Sequence, residues 1–478
     1  MLLAVLLRLV PAVLQPSMNW ADEIFQTTEQ AHRLVYGTGL EPWEFQLGVR
    51  SWLLPGVIAG LMEAARIIGK GPDVYLPVIA TAFALLGAAP VVCCFLWCRE
   101  RLGLLAAVVG GAVVATMPDL VYFGARTLAE VVAGNLLVVA LYVLEPAFFV
   151  PSRRRVAVGG ALLGLIFVLR IQLAPAMALL GLYSLLPAPR IRFPALLFGA
   201  GAMIAAAALL DAVTLGLPLA SVWRYLLYNL GYHVSSSFGV QPWYYYAKAE
   251  LAVWLGTLPV LLLLVLLGAR WLPLAFWTAL VVLLVHSAVG HKEYRFIYPA
   301  LALFGVLAGI GLARIVAWGE EALAACGARV QVAGPACAML ALACWALLSL
   351  HVWTGHSMRF LRGLDHDNLL AASFVSHGPP ICGLGLFGHD GKDWSVDGGY
   401  TWLDRPVPMY WPKDAAELEA SAKGFDVLIS TQALPPGLGF STDRCFGQVC
   451  VARRPGPCAP VPAMPMPYPR PVEGLRPH

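Results

Sequence analysis

Two adjacent carboxylates, Asp22 and Glu23, open the first long polar segment of the chain, which reads "NWADEIFQTTEQAHRLVYG" from residue 19. A carboxylate in such a place can serve as a general base that takes a proton from a hydroxyl group. It can equally stabilise the start of a helix, because the pattern from Glu23 to Leu34 is helical and carboxylates are favoured at helix N-termini. The position in the sequence leaves both interpretations open.

A second group of ionisable side chains, "HKEYRF" at residues 291–296, lies between two apolar segments. Ionisable groups at a membrane boundary either anchor the chain at the lipid headgroups or belong to a functional site. The guanidinium of Arg295 is a fork-shaped donor and the ammonium of Lys292 is a point charge, and both suit a phosphate. We interpret the group as a phosphate site, with an interfacial anchor as the alternative.

Three further arginines, Arg50, Arg126 and Arg170, fall at apolar boundaries where positive charge is not expected. With the "HKEYRF" group they would form an anion pocket, although each alone could be a structural ion-pair partner. Aromatic residues gather on the same side in "GVQPWYYYAK", residues 239–248. Such residues can bind sugars or isoprenoid chains, and they also form the interfacial belt of membrane proteins.

The chain that must position these residues has 478 amino acids, of which 59% are hydrophobic and 13% charged, with a mean hydropathy of +0.73. A soluble domain carries about 25% charged residues, so this composition predicts an all-α polytopic membrane protein. About eleven apolar segments approach or exceed the roughly 20 residues that span a bilayer. They lie near residues 2–18, 73–97, 103–117, 128–150, 156–170, 172–187, 193–213, 249–268, 271–289, 297–317 and 333–353.

Alternate loops between these segments carry basic residues, which the positive-inside rule assigns to the cytoplasm together with the N-terminus. These loops are "RERLG" at 99–103, "SRRR" at 152–155, "PRIR" at 189–192, "GARW" at 268–271 and "GARVQ" at 327–331. Arg8 is then expected near the cytoplasmic end of the first helix. The other side receives loop 17–72, the turn at 118–127, loop 214–248, the turn at 290–296 and the chain from about residue 355.

The sequence therefore predicts a transmembrane catalytic domain over residues 1–354, with loop 17–72 as its first extracytoplasmic loop. A small extracytoplasmic domain is expected over residues 355–458. The strand-like run "FDVLIS" at 425–430 predicts α/β or mixed structure there. Residues 459–478 are Pro-rich and are expected to be a disordered tail.

Cysteines in the predicted extracytoplasmic domain indicate disulfides. Cys382, Cys445, Cys450 and Cys458 would lie in an oxidising compartment, where cysteines pair. A zinc site is the alternative, but the four cysteines lack paired C-x-x-C spacing. We expect one or two disulfides and no metal site.

The polar segments together resemble glycosyltransferase family 22. The stretch "ADEIFQTTEQAHRLVYGTGLEPWEFQLGVRSWLLP" resembles the first lumenal loop of that family, and the matching residues are Asp22, Glu23, Gln26, Glu29, His32, Gly39, Trp43, Glu44, Arg50, Ser51 and Pro55. "HKEYRFIYP", "FGARTLAE" and "FGVQPWYYY" are similar to three further motifs of the family. The resemblance covers most of residues 8–310, in order and on one predicted side of the membrane.

The family contains GPI-anchor mannosyltransferases and lumenal mannosyltransferases of asparagine-linked glycan assembly. The resemblance implies a GT-C fold, a polyprenyl-phosphate sugar donor such as dolichyl-phosphate mannose, a glycan or glycolipid acceptor, inversion at the sugar, and no cofactor or metal. It implies that Asp22 is the catalytic base with Glu23 as its support. It also implies donor-phosphate binding by His291, Lys292, Arg295 and Arg126, and substrate binding by His32, Trp43, Glu44, Arg50, Trp243 and Glu293.

Departures from the family pattern lie beside the expected base. Ala21 replaces a proline, Pro42 a threonine and Phe45 a tryptophan, which leaves the acceptor open. The membrane would be the bacterial inner membrane or the endoplasmic reticulum, depending on the source, with the active site on the extracytoplasmic or lumenal side.

A transporter or flippase of a lipid-linked or anionic substrate is the alternative function. Broken helices in repeated halves with a site at the membrane midplane would favour transport. The charged residues instead gather at one predicted face. Membrane lipids are expected partners, whereas the scattered basic residues give no reason to expect nucleic acid.

Overall fold

The computed structural model describes residues 1–145, 152–186, 188–326 and 330–475, without the side chains of residues 330, 331, 470 and 475. Most of the predicted "GARVQ" loop lies outside the described residues. The first helices are α1 (Leu2–Leu14), a π-helical turn (Ile24–Thr28), α2 (Glu29–Tyr36), α3 (Trp43–Gln46), α4 (Leu53–Ala65), α5 (Pro72–Gly87), α6 (Ala89–Leu102), α7 (Leu104–Thr116), α8 (Pro118–Phe123), α9 (Ala129–Leu144), α10 (Arg153–Leu169) and α11 (Ala174–Leu185). They are followed by α12 (Pro189–Leu215), α13 (Ala220–Leu226), α14 (Tyr245–Trp254), α15 (Leu258–Ala269), α16 (Pro273–Ala288), α17 (Tyr298–Ala325), α18 (Val330–Trp353), α19 (His356–Gly363) and α20 (His366–His377).

Each predicted apolar segment coincides with one of these helices or with two that meet at a break. Within the described residues, four helical stretches are long and apolar enough to cross a membrane: Pro72–Leu102, Pro189–Leu215, Tyr294–Ala325 and Val332–Trp353. A fifth results if α14 and α15, which bend by 109° at their junction, count as one span. The length and apolar composition of these helices confirm an integral membrane protein, whereas the count of eleven spans stays a prediction.

Helix α17 lies at the centre of the helical region and contacts α6, α7, α9, α15, α16 and α18. Small residues in α17 allow these helices to approach it closely, because membrane helices associate by close packing of their backbones. A Cβ atom on Gly309 would lie 2.7 Å from the carbonyl oxygen of Gly110 on α7, and one on Gly311 would overlap that of Leu264 on α15. The "HKEYRF" turn directly precedes α17, so this packing also fixes the position of Arg295.

Arg8 lies inside the helical region and not at a helix end as expected from the sequence. Its guanidinium donates to the carbonyl oxygens of Ala4, Ala115 and Val114 at 2.8, 3.1 and 3.3 Å. The last two stand in the final turn of α7, where helix carbonyl groups lack intrahelical partners. The buried guanidinium is therefore stabilised by helix carbonyl groups.

The chain beyond α20 forms a mixed sheet with the strand order β2–β1–β3–β5–β4. The strands are β1 (Leu384–Phe387), β2 (Met409–Tyr410), β3 (Val427–Ser430), β4 (Ser441–Phe446) and β5 (Val449–Arg453), and the helices between them are α21 (Gly399–Leu403) and α22 (Ala415–Ser421). β1 runs parallel to β2 and β3, whereas β5 runs antiparallel to β3 and β4. The predicted strand at 425–430 and the mixed character of the small C-terminal domain are confirmed.

The apolar core of this sheet includes residues of the first loop. Ile24, Phe25 and Leu40 belong to the same buried cluster as Leu384 and Val427. The ring of Phe25 also meets that of Trp394 edge to face, with centroids 5.2 Å apart. The two predicted domains are thus joined by a shared core at the loop that carries Asp22.

The Pro-rich tail, expected to be disordered, lies against the rest of the protein over residues 459–475. Val461 and Met464 pack on the aromatic and aliphatic residues of the sheet core, and Val472 is fully buried beside Trp43 and Val49. An extended Pro-rich chain needs few internal hydrogen bonds, so its apolar side chains can be held by contacts alone. Residues 476–478 lie outside the described residues.

Both expected disulfides are present among the described residues. Cys382–Cys458 joins the start of β1 to the segment after β5, and Cys445–Cys450 links the paired strands β4 and β5. The four cysteines that suggested the zinc alternative are thus paired with one another in this structure.

Replacing Cys382 and Cys458 together by serine should destabilise the C-terminal sheet more than the same replacement of Cys445 and Cys450. The two bridges join residues separated by 76 and 5 positions, and a bridge that closes a longer loop removes more entropy from the unfolded chain. The expected losses are about 4 and about 2 kcal/mol. Proteolysis of the sheet across a denaturant series measures both, and equal losses would contradict the prediction.

Candidate active site

Asp22 and Glu23 stand immediately before the π-helical turn Ile24–Thr28, which continues into α2. Such turns are rare and are frequent at functional sites. The hydroxyl of Thr127 donates to the carbonyl oxygen of Glu23 at 2.6 Å, and the hydroxyls of Thr27 and Thr127 are 3.0 Å apart. The turn in front of α9 thereby fixes the backbone next to Asp22.

The carboxylate of Asp22 faces a cation and not the helix N-terminus. Its Oδ2 atom lies 2.5 Å from a guanidinium nitrogen of Arg295. Burial opposes ionisation of this group, but the charges of Arg295 and Arg50 hold the pKa of Asp22 below its usual range. Asp22 is therefore an ionised carboxylate in the resting protein, and helix capping does not account for its position.

Arg295 is the centre of a network of ion pairs in which Arg170, Glu130 and Arg295 are buried and the two other carboxylates are partly exposed. Its Nε atom lies 2.6 Å from a carboxylate oxygen of Glu293, and its Nη1 atom lies 3.6 Å from one of Glu130. Glu130 also pairs with Arg170 at 2.5 Å. Because each buried ion costs several kcal/mol of desolvation, the charges of this network are mutually dependent. We call Asp22, Glu130, Arg170, Glu293 and Arg295 the Arg295 network.

A cavity opens beside this network and is called the Asp22 cavity. Its polar lining includes Asp22, Gln26, Arg50, Glu130, Gln172 and Arg295. The Arg50 guanidinium lies 5.4 Å from the centre of the Tyr225 ring, and its Nε atom is buried without a hydrogen-bond partner. Among the described residues no carboxylate lies within ion-pair distance of Arg50, whose charge acts through space on Asp22 and Glu44.

Glu23 points to a second cavity of about 350 Å³, called the Glu23 cavity. Its polar end holds Glu23 and Arg126, whose carboxylate and guanidinium lie 2.7 Å apart, and Arg126 also donates to the carbonyl oxygen of Ser17 at 2.8 Å. Its walls are mostly apolar side chains of α1, α5, α8 and α20, but the lining also includes Arg8, Asp73 and Arg362. Burial raises the pKa of Glu23 even though the charge of Arg126 opposes this. The two neighbouring carboxylates therefore serve different cavities.

The other predicted phosphate ligands lie at the edge of the Arg295 network. His291 bonds through its ring nitrogens to the carbonyl oxygen of Gly239 at 3.0 Å and to Glu293 at 3.1 Å. The bond to Glu293 raises the pKa of His291. Lys292 donates to the carbonyl oxygen of Gln241 at 3.0 Å. Both side chains thus fasten the loop around residue 240.

Of the six predicted substrate-binding residues, Arg50 lines the Asp22 cavity, and the other five, which include Glu44 and Glu293, line neither cavity. His32 is buried between the carbonyl oxygen of Thr38 and the carboxylate of Asp404, at 2.7 and 3.3 Å. Trp43 is buried in an apolar cluster, and Trp243 is 75% exposed. Sequence spacing cannot distinguish a buried structural tryptophan from one that faces a ligand, because both are aromatic residues in polar loops.

Glu44 does not line the Asp22 cavity itself but contacts Gln26, which does. Its Oε1 atom accepts a hydrogen bond from Gln26 at 2.8 Å. Glu130, by contrast, was not predicted, although it ends the quoted "FGARTLAE" motif. The sequence signal that could have indicated Glu130 is an acidic residue three positions after Thr127, in a turn that Arg126 and Thr127 already marked as a family motif.

Residues 1–366 match the model of the Alg9-like mannosyltransferase family. The chain belongs to this family. It is 26% identical over 350 residues to GPI alpha-1,2-mannosyltransferase 3 of Mus musculus and 28% identical over 310 residues to GPI mannosyltransferase 3 of Yarrowia lipolytica. These alignments cover 67% and 60% of this chain, and 60% and 57% of the two relatives. The chain thus spans less than two thirds of the length of these relatives.

The structure of ArnT from Cupriavidus metallidurans bound to undecaprenyl phosphate is similar with a TM-score of 0.60 and 13% identity, covering 94% of this chain and 96% of that one. This likeness confirms the GT-C type of fold. The match to the Alg9-like family ends within α20, so the sheet that shares its core with the first loop lies beyond the matched residues.

The stability of this family member should depend on pH through Glu44. Burial and the charge of Asp22 raise the pKa of Glu44 from 4.5 to about 7. The folded state then binds this proton more tightly than the unfolded chain, so the stability that Glu44 contributes is lost as the pH rises from about 5 to about 7. Glu44→Gln should gain stability relative to wild type over this range, with an upper bound of about 3 kcal/mol.

Thermal unfolding of wild type and Glu44→Gln at pH 5, 6, 7 and 8 measures this difference. Glu63→Gln is the matched control, because Glu63 is exposed and pairs only with the neighbouring Arg66. A constant difference between wild type and Glu44→Gln across the series would contradict the prediction.

Proposed function

We propose that the chain is a membrane mannosyltransferase that moves a sugar from a polyprenyl-phosphate donor to a hydroxyl group of a glycan or glycolipid acceptor. Asp22 carries the proposal: an ionised carboxylate at a cavity that also contains the cations Arg50 and Arg295. A base and a phosphate site must lie this close together for such a transfer. Membership of the Alg9-like mannosyltransferase family supports the sugar and the reaction class.

In the proposed reaction, the donor phosphate enters the Asp22 cavity and binds Arg50 and Arg295. The acceptor oxygen attacks C1 of the sugar while the bond from C1 to the phosphate oxygen breaks, and the electron pair leaves on the phosphate. Asp22 takes the hydroxyl proton of the acceptor. The two arginines stabilise the charge that develops on the leaving phosphate. Attack opposite the phosphate inverts the configuration at C1.

Donor binding also changes the environment of Asp22. In the resting protein its carboxylate is paired with Arg295, and an opposite charge at this distance disfavours protonation of the carboxylate. The phosphodiester monoanion of the donor, when it shares Arg295, weakens this pairing. The basicity of Asp22 then rises when the donor is present, which directs proton transfer to the complex that can react.

We assign Arg126 to the acceptor side and no longer to the donor phosphate. It pairs with Glu23 in the Glu23 cavity, whereas Arg295 lies at the Asp22 cavity. The mostly apolar walls of the Glu23 cavity suit the hydrocarbon part of an acceptor. His291 and Lys292 are assigned to the support of the loop at residues 239–241, and the extracytoplasmic or lumenal position of the site remains part of this proposal.

Asp22→Asn should lower kcat for sugar transfer by about 10³-fold, because the amide cannot accept the proton of the attacking hydroxyl. The measurement uses purified protein in lipid nanodiscs, a synthetic polyprenyl-phosphate mannose and a panel of glycan and glycolipid acceptors. Asp443→Asn on β4 is the matched control, since Asp443 pairs with Arg453 far along the chain from the site.

Two results would overturn parts of this proposal. Transfer that survives in Asp22→Asn removes Asp22 as the base. A wild-type protein that turns over no polyprenyl-phosphate sugar removes the transferase function, and donor or lipid movement across proteoliposomes by the same protein would favour the transporter.

Ala80→Phe should raise the KM for the acceptor about tenfold, which corresponds to about 1.4 kcal/mol, and leave the KM for the donor within about twofold. Ala80 lies on α5 and lines the Glu23 cavity, so the larger ring narrows it. Val57→Phe is the control on the neighbouring helix α4, where Val57 is 55% exposed. A rise in the donor KM alone would assign the Glu23 cavity to the donor.

A further inference from the structure

We propose that Glu29 is a positioning residue: it fastens the loop that carries Asp22 to helix α21 of the C-terminal domain, so that this domain sets the position of the base. The consequence for catalysis rests on the proposed function. The fastening itself is a property of the fold and can be measured without turnover.

Glu29 is a fully buried carboxylate with no cationic side chain paired to it in the described part of the chain. Four donors take the place of a cation. Its Oε1 atom accepts from the backbone N–H groups of Leu40 and Tyr400 at 2.8 and 3.1 Å. Its Oε2 atom accepts from the N–H and the hydroxyl of Thr401 at 2.9 and 2.7 Å. Buried carboxylates need such partners, because burying a charge without hydrogen bonds is strongly unfavourable.

The donors converge from two parts of the chain that are far apart in sequence. Leu40 belongs to the first loop, whereas Tyr400 and Thr401 belong to α21, more than 370 positions after Glu29. The hydroxyl of Tyr75 on α5 donates to the carbonyl oxygen of Thr401 at 2.6 Å. Helix α21 is thereby held by both the loop and the membrane region.

His32, one helical turn after Glu29, makes a parallel contact with the same domain. Its Nδ1 atom lies 2.7 Å from the carbonyl oxygen of Thr38, and its Nε2 atom lies 3.3 Å from a carboxylate oxygen of Asp404. Residues four apart or three apart lie on one face of a helix. Glu29 and His32 therefore present one face of α2 to α21.

The backbone around the carboxylate leaves no room for a larger residue. A Cβ atom on Gly399 would lie 2.8 Å from the carboxylate carbon of Glu29, and Gly399 has a φ of +61°. Glycine is the residue that accepts this conformation without strain. The start of α21 is shaped to receive the side chain of Glu29.

Glu29 lies directly after the turn that positions Asp22. Its N–H donates to the carbonyl oxygen of Ile24 and closes the π-helical turn, and the side chains of Ile24 and Phe25 are buried in the core of the C-terminal domain. On the other side, Thr127 holds the backbone of Glu23. Displacing α2 from α21 would release one of the two attachments of the segment that carries Asp22.

Three variants test the inference. Glu29→Gln replaces one carboxylate oxygen by an NH2 group that faces hydrogen-bond donors. Thr401→Val removes one donor at nearly constant side-chain shape. Thr401→Ser keeps the hydroxyl. We expect kcat to fall about 10-fold to 100-fold in the first two, because small displacements of a reacting group have effects of this size, with the donor KM within about twofold. Thr401→Ser should retain wild-type kcat, and Glu63→Gln is the exposed Glu→Gln control.

Hydrogen exchange of the unliganded protein gives a readout that does not depend on turnover. We expect the backbone amides of residues 20–36 to exchange faster in Glu29→Gln than in wild type, while the exchange of α17 stays unchanged. Unchanged exchange at residues 20–36 would overturn the fastening, even if the wild type transfers no sugar and the proposed function fails. Faster exchange with an unchanged kcat in an active enzyme would overturn the positioning role, and so would a loss of kcat in Thr401→Ser equal to that in Thr401→Val.

Discussion

The ion pair between Asp22 and Arg295 joins two segments that are 273 positions apart in sequence, and the arrangement of the site depends on it. Neither the carboxylate nor the guanidinium could be buried without its partner, because the desolvation cost of an isolated ion exceeds the free energy gained from one weak contact. The guanidinium of Arg295 also pairs with Glu293 and Glu130, and Glu130 pairs with Arg170. The carboxylate of Asp22 is consequently held at one place by the same cations that suit a phosphate.

The neighbouring carboxylate illustrates how one turn of the chain separates two environments. Glu23 differs from Asp22 by a single position, yet it pairs with Arg126 and faces a mostly apolar cavity. In the proposed transfer, these two cavities would receive the donor and the acceptor. The π-helical turn after Glu23 provides the wall between them, with Thr27 in the Asp22 cavity and Thr28 in the Glu23 cavity.

The helices could be predicted from the sequence because they depend on local patterns, whereas Asp22 was singled out by the resemblance to the family and its role as the base stays a proposal. Apolar runs mark helices wherever a bilayer surrounds them, and the motif around Asp22 is continuous. The partners could not be predicted in this way. Arg126 and Arg295 carry the same charge in similar settings, and only the packing of α9 and α17 places them at different cavities.

Long-range contacts also explain the positions of His32 and the tail. His32 stands in a polar motif beside the base, which made a substrate contact the natural expectation, but its partner Asp404 lies 372 positions away. The Pro-rich tail contains too few apolar residues to form a core of its own. It is ordered in the structure because Val472 completes a cluster built around Trp43.

The C-terminal domain therefore has a structural relation to the site that its position beyond the family match does not suggest. The match ends at residue 366, while Glu29 and His32, both inside it, make their contacts with residues 400–404. If Asp22 is the base, as proposed, its position must be fixed by rigid parts of the protein. The shared core of Ile24 and Phe25 with the sheet supplies a rigid support on the aqueous side, and the packing of α17 supplies it within the helices. Asp22 is placed where these two supports meet.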